Sequence, residues 1–257
     1  MRPGARGLNP DTQGADNQGV SHHDRVRGHG DPGVTVIPMP PLRVMTYNVR
    51  QLRDDRSAVV RVLRAADPDV VAIQEPPRGP VGRFRLRRAA QAAGLVPVVS
   101  GGGARTTALL ARPGLRVARS RGQRLPWHPM HTPRGLAVAD IADVRVISVH
   151  LGLNAAERTQ HVIRLLSIVR GAPGAGCVVA GDLNEQPTGS NWRRLCQVLH
   201  DLTATAGPTY SATKPAKRID AVLATGGIVG SAAHVIADEA GRRGSDHLPL
   251  VVDLWWP

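Results

Sequence analysis

Residues 177–184 read Cys-Val-Val-Ala-Gly-Asp-Leu-Asn, an apolar run that leads directly into the polar residues Asp182 and Asn184. An apolar run this short, bounded by turn residues, is typical of a buried strand, whereas a helix needs a longer periodic pattern. Loops that follow strands are held in place by the sheet, and α/β proteins build their sites there. The segment therefore predicts a buried strand, Cys177–Ala180, with candidate site residues at its end.

The same arrangement of an apolar strand beside polar residues recurs in both directions along the chain. Taken singly, Asp182 and Asn184 could form an Asx-turn, and His150 could be a satisfied core histidine. The repetition of the pattern favours a site. The strands and their polar residues are Arg43–Val49 with Asn48, Val70–Ile73 before Glu75, Val144–His150 ending in His150, Arg218–Leu223 with Asp220, and Leu248–Leu254 after Asp246 and His247.

Amphipathic stretches alternate with these strands. Asp54 and Asp55 can cap a helix that ends near Ala66, and Asn154 can cap a helix with a strong apolar face. The other predicted segments are helices at Phe84–Ala93 and Ser190–Leu199, a hairpin of Gly135–Ile141 with Val144–His150, and a surface loop at Ser120–Pro133. Interleaved helices and strands with inserted hairpins predict an α/β (α+β) sandwich with mixed sheets.

The chain divides by composition into a polar tail, residues 1–41, and one domain, residues 42–257. The ordered pattern starts just after Met39, which makes Met39 a candidate translation start beside Met1. No secretory signal is visible, so we expect a cytoplasmic protein, with secretion left open. We also expect a monomer. No apolar run approaches the roughly 18–20 residues needed to span a bilayer, which excludes a transmembrane segment.

The 257 residues carry a formal net charge of +13, and the tail contributes nothing to it because its four arginines balance its four aspartates. This excess of positive charge favours an anionic partner such as nucleic acid, a phospholipid headgroup or a sugar phosphate. The alternative is codon bias, since only Lys214 and Lys217 among the 33 basic residues are lysines. The two cysteines show no metal-binding spacing.

Six short segments occur in an order that resembles the motif series of the endonuclease/exonuclease/phosphatase superfamily, which includes deoxyribonuclease I. The resemblance covers about Leu42 to Leu254 and implies a four-layered α/β sandwich of two packed mixed β-sheets flanked by helices. It also implies divalent-metal-dependent hydrolysis of phosphate esters. The six segments are Thr46-Tyr47-Asn48, Gln74-Glu75, His150-Leu151, Gly181-Asp182-Leu183-Asn184, Arg218-Ile219-Asp220 and Ser245-Asp246-His247.

The resemblance also implies roles for individual residues. Glu75 would be the principal metal ligand, with Asn48 beside it and Asp246 contributing directly or through water. Asp182 would position and deprotonate the attacking water, while Asn184 and Asn48 would hydrogen-bond the phosphoryl group. Asp220 would orient His247 and keep it cationic. His150 would contact a phosphate oxygen or assist the leaving group, and Arg134, with less specificity, would contact the substrate phosphate.

Elementary electrostatics supports a metal at such a site. Four carboxylates gathered together would repel a phosphate unless a cation lay among them, and oxygen ligands without thiolates favour Mg²⁺ or Mn²⁺. We expect a nuclease or phosphodiesterase acting on a phosphate ester, with nucleic acid as a candidate substrate. The alternatives are a sphingomyelinase-like or inositol-phosphate-like phosphoesterase and, third, a non-catalytic nucleic-acid-binding protein.

Overall fold

Two mixed β-sheets face each other across a layer of apolar side chains in the computed structural model, which describes residues 41–257. The tail predicted for residues 1–41 therefore lies, except for its last residue, outside the described part of the chain. The strands are β1 (Leu42–Asn48), β2 (Val70–Gln74), β3 (Val96–Ser100), β4 (Thr107–Ala111), β5 (Val117–Arg124), β6 (Gly135–Ile141), β7 (Val144–His150), β8 (Cys177–Asp182), β9 (His200–Asp201), β10 (Asp220–Ala224), β11 (Val229–Gly230), β12 (His234–Val235) and β13 (Leu250–Trp255). The helices are α1 (Arg56–Ala66), α2 (Gly79–Ala92), α3 (Ala155–Val169), α4 (Ser190–Cys196) and α5 (Glu239–Gly244).

Each sheet contains one parallel pair of strands near its middle. The first sheet has the order β11-β13-β1-β2-β4-β3, with β12 paired to β13, and the second has the order β5-β6-β7-β8-β10-β9. The parallel pairs are β1 with β2 and β7 with β8. Because parallel neighbours end at the same edge, the polar residues that follow β1 and β2 lie together, and so do those at the ends of β7 and β8.

Apolar side chains form three separate layers, which define a four-layered sandwich. One layer lies between the two sheets and includes Val44, Val146 and Val178. A second packs α1 and α2 against the outer face of the first sheet, and a third packs α3 and α4 against the outer face of the second. The architecture predicted from the sequence, two packed mixed sheets flanked by helices, is confirmed.

Buried polar side chains connect the two sheets behind the strand ends. Gln74 at the end of β2 donates from Nε2 to Ser148 Oγ of β7 at 3.2 Å, and Ser148 Oγ donates to the carbonyl of Ile73 at 3.0 Å. Thr46 Oγ1 of β1 donates to Gln74 Oε1 at 3.2 Å. Buried polar groups are costly unless they are hydrogen-bonded, so this chain favours one alignment of the two sheets over others.

The structure differs from the sequence-based expectation most at β5 and α2; in addition, α4 ends at Cys196 rather than Leu199, and α5 and the short strands β9, β11 and β12 had no sequence-based prediction. The loop predicted for Ser120–Pro133 is wrong for its first residues, because β5 continues to Arg124 and pairs with β6. Its side chains are almost all exposed, and an edge strand without a buried face lacks the alternation by which strands are recognised. Helix α2 begins at Gly79 rather than near Phe84, since a proline is tolerated in the first turn of a helix.

None of the helices in residues 41–257 is both long and apolar enough to cross a membrane.

The inter-sheet hydrogen bonds lead to a stability prediction. Ser148→Ala removes the hydroxyl that joins β7 to Gln74 and Ile73 of β2, so we expect the free energy of unfolding to fall by about 1 to 3 kcal/mol. Urea denaturation followed by circular dichroism measures the change. Ser167→Ala is the matched control, because Ser167 lies on the exposed face of α3, and it should cost less than about 0.5 kcal/mol. Equal losses for the two variants would contradict the proposed role of the link.

Candidate active site

The predicted site residues meet in one cleft at the edge where β1, β2, β7 and β8 end. The cleft has a volume of about 440 Å³. Asn48 and Asp220 lie behind its wall and contact wall residues. The wall contains the other seven predicted residues, namely Glu75, Arg134, His150, Asp182, Asn184, Asp246 and His247.

Asn48 connects the two sheets at the floor of this cleft. Its side-chain Nδ2 lies 3.4 Å from Glu75 Oε1 of the first sheet and 3.2 Å from Asp182 Oδ2 of the second. Its Oδ1 accepts a hydrogen bond from the backbone N–H of Arg50 at 3.1 Å, which fixes the orientation of the amide. The amide thus holds two carboxylates near one another although they belong to different sheets.

Asp182 is buried at the end of β8, and its environment favours the protonated form. Burial raises the pKa of Asp182 to about 7, and the negative charge of Asp220 contributes in the same direction. The backbone N–H of Asn184 donates to Asp182 Oδ1 at 2.8 Å, which fixes the carboxylate in place. A carboxylate with a pKa near neutrality is suited to accept a proton during catalysis.

Asp220 and His247 form a buried pair in the wall. His247 Nδ1 lies 2.9 Å from Asp220 Oδ2, while His247 Nε2 points towards Asp182 Oδ2 at 3.8 Å. Burial alone would lower the pKa of His247, but the charge and hydrogen bond of Asp220 outweigh it and raise the pKa to about 9. His247 is therefore cationic at neutral pH.

His150 has the opposite electrostatic environment. Burial, followed by the charge of Arg134, holds the pKa of His150 well below its usual range, so its ring is neutral. Arg134 Nη1 lies 2.7 Å from both ring nitrogens of His150. His150 Nε2 is also 3.4 Å from Asp182 Oδ2. The two histidines thus have different protonation states within one cleft.

The backbone is strained at two of the site residues. Glu75 and Asn184 have φ angles of 49°, in the left-handed region that residues other than glycine rarely adopt. Glu75 directly follows the end of β2, and Asn184 lies two residues after the end of β8. At both places the chain must turn sharply to present the side chain to the cleft. Strain of this kind is concentrated at functional sites.

The donor groups of the cleft fit a hard divalent cation. Donor atoms of Asp182, Asp220 and His247 lie within 4.8 Å of one another, and Asp220 Oδ1 is buried without a hydrogen-bond partner. Because His247 is cationic, the donors that this group offers a metal are its two carboxylates rather than the imidazole. Glu75 Oε1 lies across the Asn48 amide from Asp182. Asp246 is partly exposed, with its Oδ2 3.6 Å from Arg50 Nε. Carboxylate oxygens without thiolates are the ligands that Mg²⁺ and Mn²⁺ prefer.

Sequence reasoning missed Tyr210, which lines the cleft. The ring of Tyr210 packs on His247, with ring centroids 4.9 Å apart, and its backbone pairs with Lys217 and His247. Lys217 also lines the cleft, and the signal for it was its position directly before the motif Arg218-Ile219-Asp220. Tyr210 offered none, because a single tyrosine in a polar stretch has no periodicity.

Comparison with known proteins identifies the family of the chain. The model of the endonuclease/exonuclease/phosphatase family matches residues 45–247. No curated protein is similar enough in sequence to be counted as a relative.

Several solved structures share the fold. An endonuclease/exonuclease/phosphatase from Bacteroides vulgatus is 17% identical, with a TM-score of 0.69 over 84% of this chain and 99% of that one. A mannosyl-6-phosphatase from Bacteroides thetaiotaomicron is 16% identical, with a TM-score of 0.66 over 84% and 100%. Truncated TDP2 from Caenorhabditis elegans is 17% identical, with a TM-score of 0.64 over 84% and 98%. At these identities the likeness shows the fold alone.

The contact between Tyr210 and His247 generates a prediction. Tyr210→Ala removes the ring that holds the imidazole in place, so we expect phosphoester hydrolysis to fall by about 10- to 100-fold, mainly in kcat. Tyr210→Phe keeps the ring and should retain nearly full activity. Steady-state kinetics on bis-p-nitrophenyl phosphate measures both variants. A loss in Tyr210→Phe as large as in Tyr210→Ala would show that the hydroxyl, rather than ring packing, matters.

Proposed function

Since the chain belongs to the endonuclease/exonuclease/phosphatase family of phosphoester hydrolases, we propose that it is a divalent-metal-dependent phosphodiesterase whose preferred substrate is nucleic acid. One observation carries the proposal: carboxylates, amides and two histidines from six separate segments converge on a single cleft. A set of this kind can bind a phosphate, hold a cation and move a proton. A scaffold that only binds nucleic acid has no need of this combination.

The proton chemistry falls to Asp182. Its raised pKa and its position between Asn48 and His247 suit it to orient a water molecule and to accept the proton released when that water attacks phosphorus. The other buried acid, Asp220, is committed to its hydrogen bond with His247. Asp182 is therefore the candidate general base, and Asp220 acts through the histidine.

Charge on the phosphoryl oxygens is balanced by groups on both sides of the cleft. Cationic His247 and the guanidinium of Arg134 supply positive charge there, and the side chain of Asn184 lies beside them. Asn184 Nδ2 donates to the carbonyl of Leu151 at 2.9 Å, so its amide is already oriented before substrate binds. Donors that are in place beforehand stabilise a transition state without a cost of reorganisation.

A metal ion would be held by Glu75 with Asn48 and Asp246 around it. When bound, it supplies a Lewis acid that neutralises the phosphate and lowers the pKa of water. The carboxylate pair that Asn48 holds together, Glu75 and Asp182, gives the cleft the negative charge that such an ion requires.

A second candidate, a phosphoesterase of lipids or small molecules, is favoured by one feature of the cleft. Leu153 lines the cleft and is 76% exposed, and the neighbouring Met130 is 98% exposed. Exposed apolar side chains beside a phosphate site suit a substrate with an apolar portion. Aromatic residues, which stack on bases, make up only 3% of the chain.

Substitution of the reacting residues tests the mechanism. Glu75→Ala, Asp182→Ala and His247→Ala should each reduce the rate by at least about 10²- to 10⁴-fold, because each removes a group that contacts the metal, the water or the phosphate. Circular dichroism should show folded protein. Glu239→Ala is the control, since that carboxylate is 82% exposed on α5, and it should leave the rate unchanged. Wild-type rates in any of the three site variants would contradict the assignment.

Metal removal and a substrate panel test the reaction class. We expect EDTA to abolish hydrolysis of plasmid DNA and Mg²⁺ or Mn²⁺ to restore it, because the carboxylate cluster repels phosphate without a cation. RNA, sphingomyelin and inositol phosphates complete the panel. Faster hydrolysis of sphingomyelin or inositol phosphates than of nucleic acid would favour the second candidate. DNA binding without turnover under any metal would identify a non-catalytic protein.

A further inference from the structure

A second cavity, which we call the arginine pocket, lies beside the cleft and takes no part in the mechanism above. Its volume is about 350 Å³. It is formed by the segment after β2, the first turns of α2 and the loop between β3 and β4. Its walls include Arg78, Arg83, Arg105, Thr106, Gly101 and Pro133.

The charges around this pocket are all positive. Arg78, Arg83 and Arg105 are exposed, and within residues 41–257 none of them forms an ion pair with a carboxylate. Many other arginines of the chain do, for example Arg43 with Asp253 and Arg112 with Asp69. Three unpaired guanidinium groups around one cavity attract an anion.

The first turn of α2 contributes to the same cavity. Arg78 is the N-cap residue, and no side chain caps the backbone N–H groups that follow it. The N-terminus of a helix favours anions, because its N–H groups are unpaired and the helix dipole is positive there. A Cβ at Gly101 would lie only 3.1 Å from Arg83 Cδ, so the bare backbone lets Arg83 lie close against the loop.

A buried hydroxyl without a partner provides an independent indication of a ligand. Thr106 lines the pocket and is only 3% exposed, yet its Oγ1 has no hydrogen-bond partner. Leaving a buried polar group unsatisfied costs free energy, and such groups in native proteins usually have a partner. Since Thr106 lines the pocket, a phosphate bound there is a candidate partner for this hydroxyl.

The arginine pocket and the catalytic cleft adjoin at two pairs of consecutive residues. Pro76 lines the pocket and Glu75 the cleft, while Pro133 lines the pocket and Arg134 the cleft. The carbonyl of Thr106 accepts a hydrogen bond from the backbone N–H of Glu75 at 2.9 Å. Consecutive Cα atoms are about 3.8 Å apart, so one extended substrate can reach both cavities.

We infer that the arginine pocket binds a second, non-scissile phosphate group of the substrate. The inference rests on the proposed function for the position of the scissile phosphate, but the pocket itself is defined independently of catalysis. It means that the enzyme selects substrates with at least two phosphate groups over simple diesters. Part of the positive charge of the chain then binds one phosphate group in the arginine pocket, in addition to attracting anions to the surface in general.

A matched pair of substrates tests this. Thymidine 5′-(p-nitrophenyl phosphate) and its 3′-phosphorylated counterpart differ only by the second phosphate. For the wild type with Mg²⁺ we expect the extra phosphate to raise kcat/KM by about tenfold or more, as charge-assisted hydrogen bonds to it would do. Arg83→Ala, Arg105→Ala and Thr106→Val should each reduce this ratio. Arg85→Ala is the control, because Arg85 lies on the same helix but lines a different cavity, and it should keep the ratio.

A binding measurement separates failure of this inference from failure of the proposed function. Calorimetric titration of the full chain in EDTA with thymidine 3′,5′-bisphosphate needs no turnover. We expect the pocket variants to bind about tenfold more weakly than wild type and Arg85→Ala to bind like wild type. If neither substrate is hydrolysed but this pattern holds, the proposed function fails and the pocket stands. Equal binding by the pocket variants and Arg85→Ala would overturn the inference.

Inositol 1,4-bisphosphate, titrated in parallel, distinguishes the source of the second phosphate. Tighter pocket-dependent binding of the nucleotide supports the subsite and assigns it to a nucleic-acid strand. Tighter pocket-dependent binding of the inositol compound also supports the subsite and assigns it to a polyphosphorylated small molecule. Binding of both that is insensitive to Arg83→Ala, Arg105→Ala and Thr106→Val contradicts the subsite.

Discussion

The chain of hydrogen bonds through Thr46, Gln74 and Ser148 is the constraint on which the active cleft depends. These side chains come from both sheets, and each lies one or two positions before a site residue at a strand end. A sandwich held only by apolar contacts can slide, since the hydrophobic effect is non-directional. Directional bonds in the dry layer between the sheets fix the offset, and so Asn48 can reach carboxylates on both sides.

Electrostatics divides the molecule into a small acidic centre and a basic surface. Acidic residues gather where a metal ion and water are needed, whereas the net charge of +13 is spread over the rest of the domain. Within the centre, one histidine is made cationic by a buried carboxylate and the other neutral by burial beside an arginine. The same residue type therefore serves two purposes because its surroundings differ.

Much of the architecture could be predicted from the sequence, for reasons that are visible at particular elements. Strands such as Cys177–Asp182 are buried and short, and Gly135–Ile141 and Val144–His150 form the expected hairpin. The prediction was wrong mainly at two places, for different reasons. Strand β5 is an exposed edge strand and so lacks an alternation of apolar and polar residues, and α2 starts with a glycine and a proline, which are usually read as turn residues. All nine candidate residues lie at or directly behind one cleft, and their individual roles stay predictions.

The sequence by itself determined the local elements, the residues at strand ends and the membership of the family, because these depend on neighbours along the chain and on ordered motifs. Only the tertiary structure decided what happens between distant segments. Asn48 contacts Asp182 across 134 positions, Tyr210 packs on His247, and arginines from α2 and the β3–β4 loop surround one pocket. Contacts of this kind depend on how the two sheets pack. The spacing of residues along the chain does not show which side chains of distant segments face one another.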